Sequence, residues 1–491
     1  MIDRSLTLDA VGEVLRSAGL LREQRGPGDV AVLGVCQDSR SVRPGDLFLA
    51  WKGTSEDAHD HVAAAARAGA VAAVVERPVD APVPQLVVSD GRSAGAIAAQ
   101  TVFGNPSHEV FLVGVTGTNG KTTTAVLIRH LLAARGKAAA VGTLGLVDAD
   151  GVRPGTEGLT TPGPVQLASW LRQLADEGVA SVALEASSHA LEQRRLEGVR
   201  FAAGVFTNLT QDHLDYHPDL EAYFAAKARL VSLVKADGWL LVNRDDPAWD
   251  ALDVAGRHVR TFAVDSAADL RAEDVALDAG GSRFTLVVGA ERVRVELPLL
   301  GAYNVENALA AAAVASVVGM GAAEIARGLA SVPQVPGRLE AVLRKPYAVL
   351  IDFAHTPDAL EGALGALRPL TRGRLIVVFG AGGDRDRTKR GPMAQAVARF
   401  ADLMVLTSDN PRTEDPESIL DDLAAGLPGA TFARIADRRQ AIRHALGLAR
   451  AGDTVVLAGK GHETYQTVGR EKRPFDERVV VRECLSELGA A

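Results

Sequence analysis

The sequence predicts an α/β protein built from three domains, and three observations support this. The chain has 491 residues, which is too long for one hydrophobic core and corresponds to about three domains of ~150 residues each. Near-continuous apolar segments alternate with helical segments, a pattern typical of parallel sheets covered on both faces. The unusual polar residues follow directly after the apolar segments, where parallel sheets bind their ligands.

Breaks in this pattern define the predicted domains. Residues 1–108 contain the short runs DLFLAWKG, AVAAVVE and PQLVVSD between helices rich in small residues. Residues 109–333 open at VFLVGVTGTNGKTTT and end at SVPQVPGRLE, where two prolines and a glycine suit a linker. Residues 334–491 repeat the strand–loop–helix order, with the strands YAVLIDFAH, RLIVVFGAGG, ADLMVLTSDNP and DTVVLAGKGHE.

Composition restricts the functional class. A net charge of -8 disfavours nonspecific binding to nucleic acid or to anionic membranes. Only Cys36 and Cys484 occur, too few for a disulfide framework or a cysteine metal site, which fits a reducing compartment. The N-terminus lacks a signal-peptide pattern, and the longest uncharged stretch, residues 308–323, is shorter than the ~20 residues of a membrane span. We therefore expect a cytoplasmic protein that binds neither nucleic acid nor membrane. A monomer is also expected, although nothing in the composition determines the oligomeric state.

The segment GVTGTNGKTTT, residues 114–124, predicts a phosphate site between a strand and a helix. Backbone N–H groups of a glycine-rich turn and a helix N-terminus together bind anions. Lys121 would contact the β- and γ-phosphates, and the Thr122 hydroxyl would coordinate Mg²⁺. The strict pattern G-x-x-x-x-G-K-[ST] is not met, because Val115 stands where its first glycine is required. A tight turn with a surface lysine is the alternative, but the order of strand, glycines, Lys-Thr and helix favours nucleotide binding.

The stretch TGTNGKTTT resembles the ATP loop of the Mur ligase superfamily, which includes folylpolyglutamate synthetases. The resemblance implies an enzyme that phosphorylates a carboxylate with ATP and forms an amide when an amine attacks the acyl phosphate. It also implies a uridine-nucleotide-binding N-terminal domain, a P-loop ATPase-like central domain with a parallel sheet, and a Rossmann-like C-terminal domain. The implied ATP contacts are Gly117, Thr118, Asn119, Gly120, Lys121, Thr122, Thr123, Asn304, Asn307, Arg338, Asp352 and His355. By residue type alone, the two asparagines could equally cap a helix.

Three further residues are candidates for metal binding. Glu185 ends the apolar run in GVASVALEASSHAL, and residue type alone fits a Mg²⁺ ligand and an exposed strand-end carboxylate equally. His213 follows a predicted strand, where a lone histidine is usually solvated, and Lys227 lies in a predicted helix, where a lysine is usually exposed. The resemblance instead implies that Thr122, Glu185, His213 and a carbamylated Lys227 hold Mg²⁺, and that Lys121, Lys227 and His213 are catalytic. Formation of the acyl phosphate brings the substrate carboxylate against the phosphates of ATP, and two Mg²⁺ ions would lower the electrostatic cost of bringing these anions together.

Segments in the first and second domains resemble those that bind the nucleotide substrate in the tripeptide-forming branch of this family. They are QDSRSVRPGDLFLAWKG, LTTPGP and SSHALEQRR. The resemblance implies that UDP-MurNAc-L-Ala-D-Glu contacts Ser39, Thr54, Ser55, Glu56, Thr160, Thr161, Ser187, Gln193 and Arg195. Each match is weak alone, because serine and threonine are common in loops, but together and in order they support the assignment.

SDNPRTEDP resembles the loop that selects diaminopimelate in the same branch. The far end of meso-diaminopimelate carries a carboxylate, which Arg412 can bind with two parallel N–H groups, and an amine, which Asp409 can pair with. The implied amine contacts are Arg385, Asp409, Asn410, Pro411, Arg412, Gly459 and Glu463. DNPR could also be a plain Asx-Pro turn. The alternatives left open are a ligase for L-lysine, L-ornithine or a folate, a P-loop switch or motor, and a nucleotide-binding regulator.

Overall fold

The structure is a computed structural model that describes residues 6–53, 56–153, 155, 158–210, 212–213 and 216–489. Over these ranges the chain forms two compact units. The first unit comprises the described residues within 1–210, 217–262 and 310–319, and the second comprises those within 211–216, 263–309 and 320–491. Within the described ranges, none of the helices has the length and apolar character needed to cross a lipid bilayer.

Strands and helices alternate along most of the described chain, as the sequence pattern predicts. The strands are β1 (Leu6–Thr7), β2 (Leu21–Arg25), β3 (Ala31–Val32), β4 (Gly34–Cys36), β5 (Asp46–Leu49), β6 (Ala72–Val75), β7 (Gln85–Val88), β8 (Phe111–Thr116), β9 (Ala138–Gly142), β10 (Gly145–Asp148), β11 (Gly151–Arg153), β12 (Ser181–Glu185), β13 (Phe201–Phe206), β14 (Val234–Asn243), β15 (His258–Ala263), β16 (Leu270–Asp278), β17 (Gly281–Val288), β18 (Glu291–Leu297), β19 (Glu340–Leu343), β20 (Ala348–Asp352), β21 (Leu375–Phe379), β22 (Leu403–Leu406), β23 (Ala433–Arg434), β24 (Thr454–Ala458), β25 (Tyr465–Val468) and β26 (Glu471–Pro474). The helices are α1 (Leu8–Ser17), α2 (Val62–Ala68), α3 (Gly91–Val102), α4 (Lys121–Leu132), α5 (Pro164–Asp176), α6 (Ser188–Glu192), α7 (Leu220–Ala228), α8 (Leu230–Leu233), α9 (Ala302–Val317), α10 (Ala322–Ala330), α11 (Pro357–Leu367), α12 (Arg390–Ala398), α13 (Pro416–Ala425), α14 (Arg438–Leu448) and α15 (Glu477–Glu487).

The first unit begins with a small sheet of five strands in the order β2-β7-β6-β5-β4. Strands β4 to β7 are parallel and β2 runs antiparallel to β7 at the edge. The predicted apolar runs form β5, β6 and β7, whose residues are all buried. Helices α1 and α3 pack together, and their apolar residues share a core with Leu47, Val74 and Leu86.

A second sheet in the first unit positions the predicted phosphate loop. Its strands run in the order β11-β10-β9-β12-β8-β13-β14-β15, and those from β9 to β15 are parallel. Strand β8 lies between β12 and β13, so the residues that follow these three strands meet at one edge of the sheet. This edge brings the phosphate loop, Glu185 and Thr207 together.

The second unit contains an antiparallel set, β16-β17-β18, and a six-stranded sheet in the order β19-β20-β24-β21-β22-β23. In the six-stranded sheet all neighbours are parallel except β19, which is antiparallel to β20. Its strands bury both faces. Leu350, Val377 and Val456 pack on one side, whereas Val349, Ile376 and Val455 pack on the other. The predicted α/β architecture with apolar parallel strands is therefore confirmed here.

Besides the edge strands β2 and β19, five more strands depart from the parallel arrangement expected from the apolar runs. Strands β10 and β11 are antiparallel to their neighbours in the first unit, and β16, β17 and β18 are antiparallel in the second. Residues 279–280 and 289–290 alone separate β16, β17 and β18. Two residues can close a hairpin, but a parallel crossover needs a dozen or more.

Candidate functional site

The phosphate loop depends on two glycines with positive φ. Gly117 has φ 149° and Gly120 has φ 85°, a conformation that other residues rarely adopt. A Cβ on Gly117 would overlap Oγ1 of Thr207 and stand 3.1 Å from the N of Asn208. Gly120 precedes α4 and provides no side-chain cap. The two glycines thus allow a tight turn before α4, and a helix N-terminus without a side-chain cap is suited to a phosphate, which stays a prediction here.

Two lysines converge on the same carbonyl oxygen in this loop. Lys121 donates to Gly117 O at 2.9 Å and to Thr118 O at 2.8 Å. Lys227 donates to Gly117 O at 2.7 Å, and its Nζ lies 4.2 Å from the ring centroid of Tyr223. Lys227 is only 1% exposed, so the surface position expected from residue type alone is wrong. Its side chain instead lies against the phosphate loop.

Glu185 is a buried carboxylate beside the first turn of α4. Its Oε2 accepts a hydrogen bond from Thr122 Oγ1 at 3.0 Å and lies 3.1 Å from Thr143 Oγ1. Its Oε1 accepts from Thr143 N at 2.8 Å. Glu185 is 2% exposed, which rules out the alternative of an exposed strand-end carboxylate.

The Thr122 hydroxyl and the Glu185 carboxylate have the oxygen atoms that a magnesium ion binds. Mg²⁺ prefers carboxylate and hydroxyl oxygens, and Thr122 with Glu185 supplies both types 3.0 Å apart. Among the described residues there is no group of three or more histidines, cysteines or acidic residues that could hold a metal. The predicted set differs from such a cluster because it also uses a threonine and a modified lysine.

His213 is the fourth residue predicted to bind magnesium. It belongs to the second unit, whereas Thr122, Glu185 and Lys227 belong to the first. His213 is exposed, has φ 55°, and its Nε2 lies 3.5 Å from Oδ2 of Asp212. Its role as a second metal ligand therefore stays a prediction.

The segments predicted to bind the dipeptide lie beside Glu185. Thr161 Oγ1 is 2.6 Å from Glu185 O and accepts a hydrogen bond from Ser187 N at 3.0 Å. Arg195 donates to Thr161 O at 3.2 Å and to Gln193 Oε1 at 3.0 Å. Thr160 Oγ1 lies 3.4 Å from Thr143 Oγ1, next to the Glu185 carboxylate. The fold thus joins LTTPGP and SSHALEQRR, which are separated in sequence, at the predicted metal site.

The predicted nucleotide loop in the first domain is only partly described. Thr54 and Ser55 lie outside the described residues. Ser39 is half-buried and Glu56 is exposed, with its carbonyl accepting from Gly53 N at 2.8 Å. A residue that the sequence analysis missed, Glu76, accepts hydrogen bonds from Lys52 N at 3.1 Å and Gly91 N at 3.0 Å. An acidic residue directly after the buried strand β6 is the signal that could have identified it.

In the second unit, Asp352 anchors the loop that carries Arg338. Its two oxygens accept hydrogen bonds from Leu339 N and Ala354 N, each at 2.8 Å. Burial raises the pKa of Asp352, and the positive charge of Arg338 opposes this effect. The Arg338 guanidinium lies 4.9 Å from the ring centroid of Phe353, and His355 Nδ1 lies 2.7 Å from Phe353 O.

The two predicted ATP-contacting asparagines are buried at the start of α9. Asn304 donates to Leu300 O at 2.7 Å, and Asn307 donates to Asn304 Oδ1 at 3.0 Å. An N-cap side chain would instead accept a hydrogen bond from a backbone N–H. Both residues also lie inside α9 and not at its N-cap position, so the alternative of an N-cap is wrong, and the contact with ATP stays a prediction.

The predicted amine contacts come together at the carboxyl ends of β21, β22 and β24. Gly383 N donates to Asn410 O at 2.9 Å, and Arg412 Nη1 donates to Gly383 O at 2.7 Å. A Cβ on Gly383 would overlap the carbonyl of Pro411. Arg412 has φ 53°, and its N donates to Thr467 O at 3.0 Å. This geometry is more constrained than the plain Asx-Pro turn that residue types allow.

Opposite charges surround Arg412. Partial burial and the neighbouring Arg385 lower the pKa of Arg412, while Asp409, Glu463 and Asp384 act in the opposite direction. Asp409 is 7% exposed, and its Oδ2 is buried with no hydrogen-bond partner among the described residues. Gly459 has φ 115°, and a Cβ there would overlap this oxygen. An unpaired buried carboxylate oxygen beside two arginines suits a ligand that has both a cationic and an anionic group.

A further charged residue in this pocket was missed by the sequence analysis. Lys460 is fully buried and contacts both Asn410 and Glu463. The signal that could have identified it is a lysine between two glycines immediately after the apolar strand β24. Lysine is almost never fully buried unless it is paired.

Comparison with known proteins agrees with this architecture. Residues 32–104 match the Mur ligase family, catalytic domain, residues 115–315 match the Mur ligase middle domain, and residues 337–461 match the Mur ligase, glutamate ligase domain. Each matched range lies within one of the three predicted domains.

Relatives and solved structures match the chain over nearly its whole length. The UDP-N-acetylmuramoyl-L-alanyl-D-glutamate--2,6-diaminopimelate ligase of Geobacillus thermodenitrificans is 43% identical, covering 94% of this chain and 96% of the relative. The protein of the same name from Gloeobacter violaceus is 45% identical, with 97% and 98% covered. A solved structure of a ligase of this name has a TM-score of 0.71 at 34% identity, covering 99% of this chain and 100% of that one. The MurF ligase of Thermotoga maritima in complex with ADP shares the fold, with a TM-score of 0.64 at 20% identity and coverage of 93% and 96%. These matches show that the chain belongs to the Mur ligase family.

Proposed function

We propose that this chain is an ATP-dependent, ADP-forming ligase that adds meso-diaminopimelate to UDP-MurNAc-L-Ala-D-Glu. The near-full-length relatives bear the name of this reaction. The observation that carries the choice of amine is the pocket in which Arg412 and Arg385 lie near the buried, unpaired oxygen of Asp409.

The first unit supplies the groups for carboxylate activation. The loop N–H groups and Lys121 hold the phosphates of ATP, and Thr161, Ser187 and Arg195 orient the D-Glu γ-carboxylate close to Glu185. A carboxylate oxygen attacks the γ-phosphorus, the bond to ADP breaks, and an acyl phosphate forms. Magnesium bound by Thr122 and Glu185, with His213 and carbamylated Lys227 as further predicted ligands, would neutralise the charge that builds up between the two anions.

The second unit supplies the amine. The neutral amino group at the L-centre of diaminopimelate attacks the acyl carbon, and the resulting tetrahedral intermediate expels phosphate. The attacking nitrogen loses a proton, so the products are the amide, ADP and phosphate. Arg412 binds the distal carboxylate, and Asp409 with Glu463 balances the distal ammonium, which keeps the reacting amine in a fixed orientation.

Carbamylation of Lys227 is part of this proposal. The burial of Lys227 and its contact with Gly117 O support a role beside the phosphates rather than at the surface. Reaction with CO₂ replaces an ammonium by an anionic carbamate, which supplies oxygen ligands suited to Mg²⁺. The monomeric state and the cytoplasmic location remain predictions from the sequence.

Phosphate release tests the proposed function. The purified chain is incubated with ATP, Mg²⁺ and UDP-MurNAc-L-Ala-D-Glu, and meso-diaminopimelate, L-lysine and L-ornithine are compared as the added amine. We expect turnover only with diaminopimelate, and its loss in Arg412→Ala. The matched control is Arg399→Ala, because Arg399 is an exposed arginine whose ion pair with Glu361 contributes little. Turnover with lysine or ornithine would contradict the amine assignment, and release that ignores both the amine and the nucleotide would contradict the ligase assignment.

A further inference from the structure

We propose that Lys460 is a positioning residue of the amine pocket, which orients Glu463 and Asn410 toward the substrate. The inference rests on the proposed function, because it concerns the pocket assigned above to diaminopimelate. It concerns a residue that the sequence resemblance did not implicate.

The contacts of Lys460 define this role. Its Nζ donates to Glu463 Oε2 at 2.9 Å and to Asn410 Oδ1 at 3.2 Å. Asn410 Nδ2 donates to the same Glu463 oxygen at 2.9 Å, so the three side chains form a closed triangle of hydrogen bonds. Thr467 N holds the triangle to β25 by donating to Asn410 Oδ1 at 2.8 Å.

This triangle leaves one carboxylate oxygen of Glu463 for the substrate. Oε2 accepts from both Lys460 and Asn410, whereas Oε1 accepts no hydrogen bond from the described part of the chain. The Glu463 side chain is 19% exposed, while that of Lys460 is fully buried. Lys460 therefore fixes the rotation of the Glu463 carboxylate by holding its Oε2. Its Oε1 can then accept a hydrogen bond from a bound ammonium.

A different ion pair already secures the backbone beneath the pocket. Arg438 and Glu477 are both fully buried, with Arg438 Nε donating to Glu477 Oε1 at 2.8 Å. Arg438 also donates to Ser408 O at 3.2 Å and to Ala458 O at 3.0 Å. These carbonyls directly precede Asp409 and Gly459, on strand ends that are separated by β21. Because Arg438 ties the two loops together, Lys460 is not needed for that purpose, and the hydrogen bonds of its ammonium go to the pocket side chains Asn410 and Glu463.

A double-mutant cycle tests the proposal with steady-state kinetics. The chains compared are wild type, Lys460→Met, Glu463→Gln and the double variant, and KM is measured separately for the amine, ATP and the nucleotide. We expect Lys460→Met to raise KM for the amine by about 10- to 100-fold, as expected for loss of hydrogen bonds to a charged group, and to leave the other two KM values unchanged. In the Glu463→Gln background the same change has little further effect, because Lys460 acts through Glu463.

Lys472→Met is the matched control. Lys460 and Lys472 both lie over the ring of Tyr465, at 5.8 and 4.4 Å, but Lys472 is exposed. We expect its substitution to leave all three KM values unchanged. Three outcomes would overturn the proposal. Lys460→Met could have the same effect in wild type and in Glu463→Gln, it could change all three KM values, or it could leave the KM for the amine unchanged.

Two further comparisons make the result unambiguous. If Lys460→Met does not fold, the double variant is compared with Glu463→Gln, because the double variant buries no unpaired carboxylate. Equal KM values for the amine support the proposal, and unequal values overturn it. If wild type turns over with L-lysine instead of diaminopimelate, the amine assignment fails, and the cycle is repeated with L-lysine to judge Lys460 separately.

Discussion

Replacing Gly142 with alanine should disable the predicted magnesium site without replacing any of its ligands. Gly142 ends β9, and a Cβ there would overlap Oε1 of Glu185 and stand 2.5 Å from its Cδ and 2.6 Å from its Cγ. The distance to Cδ alone is about 0.9 Å below the 3.4 Å at which ordinary van der Waals contact begins. The backbone is held in register because Val141 pairs with Leu184 in the neighbouring strand. The Glu185 side chain must therefore move.

A displacement of this size is large compared with the contacts of the carboxylate. Glu185 Oε2 lies 3.0 Å from Thr122 Oγ1, so a 1 Å shift would take the pair to about 4 Å, beyond hydrogen-bonding distance. Misplacing a reacting or metal-binding group by about 1 Å costs on the order of 100-fold in rate. Overpacking in a buried site destabilises the fold by about 1–3 kcal/mol. We therefore expect kcat/KM to fall by about 100-fold and the requirement for Mg²⁺ to rise.

Phosphate release over a magnesium titration, together with thermal unfolding, checks this prediction. Gly362→Ala is the control, because Gly362 lies in α11 with open space around it and alanine should stabilise the helix by about 0.5–1 kcal/mol. A folded Gly142→Ala variant with wild-type activity and wild-type magnesium dependence would refute the assignment of Glu185 to the metal.

Three further predictions concern other parts of the molecule. Arg412→Lys keeps the charge but loses the planar pair of N–H groups, so we expect KM for diaminopimelate to rise about tenfold with KM for ATP unchanged, measured by phosphate release. Lys227→Arg cannot form a carbamate, so ¹³C NMR with ¹³C-bicarbonate should show a carbamate signal in wild type and none in the variant, with activity reduced by at least about 100-fold. Hydrogen bonds from Arg40 lower the pKa of Asp38 from 3.8 to about 2, so this group stabilises the fold above pH 3.8 and that contribution is lost as the pH falls toward 2. The difference in Tm between wild type and Asp38→Asn should therefore be small, because the Asp38–Arg40 pair is partly exposed to solvent, and should disappear between pH 4 and pH 2.

The parallel part of the fold could be predicted from the sequence because its strands are apolar throughout. The residues of β21 and β24 are all buried, and their sequences show no polar alternation. The antiparallel strands carry a different signal. In β18 the exposed residues Arg292, Arg294 and Glu296 alternate with more buried ones, and two-residue connections flank β17. Alternation and short connections are local features, so these hairpins were predictable from the sequence by the same physical rules.

The site was harder to predict because its geometry depends on distant residues. Lys227 is buried by its contact with Gly117 O, a residue 110 positions earlier in the chain. Nothing in the Ala-rich segment around Lys227 distinguishes it from a surface lysine, and only the family resemblance pointed to it. Lys460 is similar, because its partner Asn410 lies 50 positions away. Ionisable side chains can be recognised from one sequence, but the long-range contacts that bury them cannot.

The amine pocket is also a set of interlocked loops, and this affects how its specificity can change. Gly383 has no room for a side chain beside Pro411, and Asn410 Oδ1 accepts hydrogen bonds from both Lys460 and Thr467. The segments that carry Gly383, Asn410 and Lys460 are far apart in the sequence but therefore constrain one another's conformation. A single substitution in one segment is incompatible with the packing of the other two. Most such substitutions therefore disrupt the pocket before they can change which amine it binds. Divergence toward another amine, in nature or in a laboratory graft, should require residues 380–385, 408–413 and 459–468 to be replaced together.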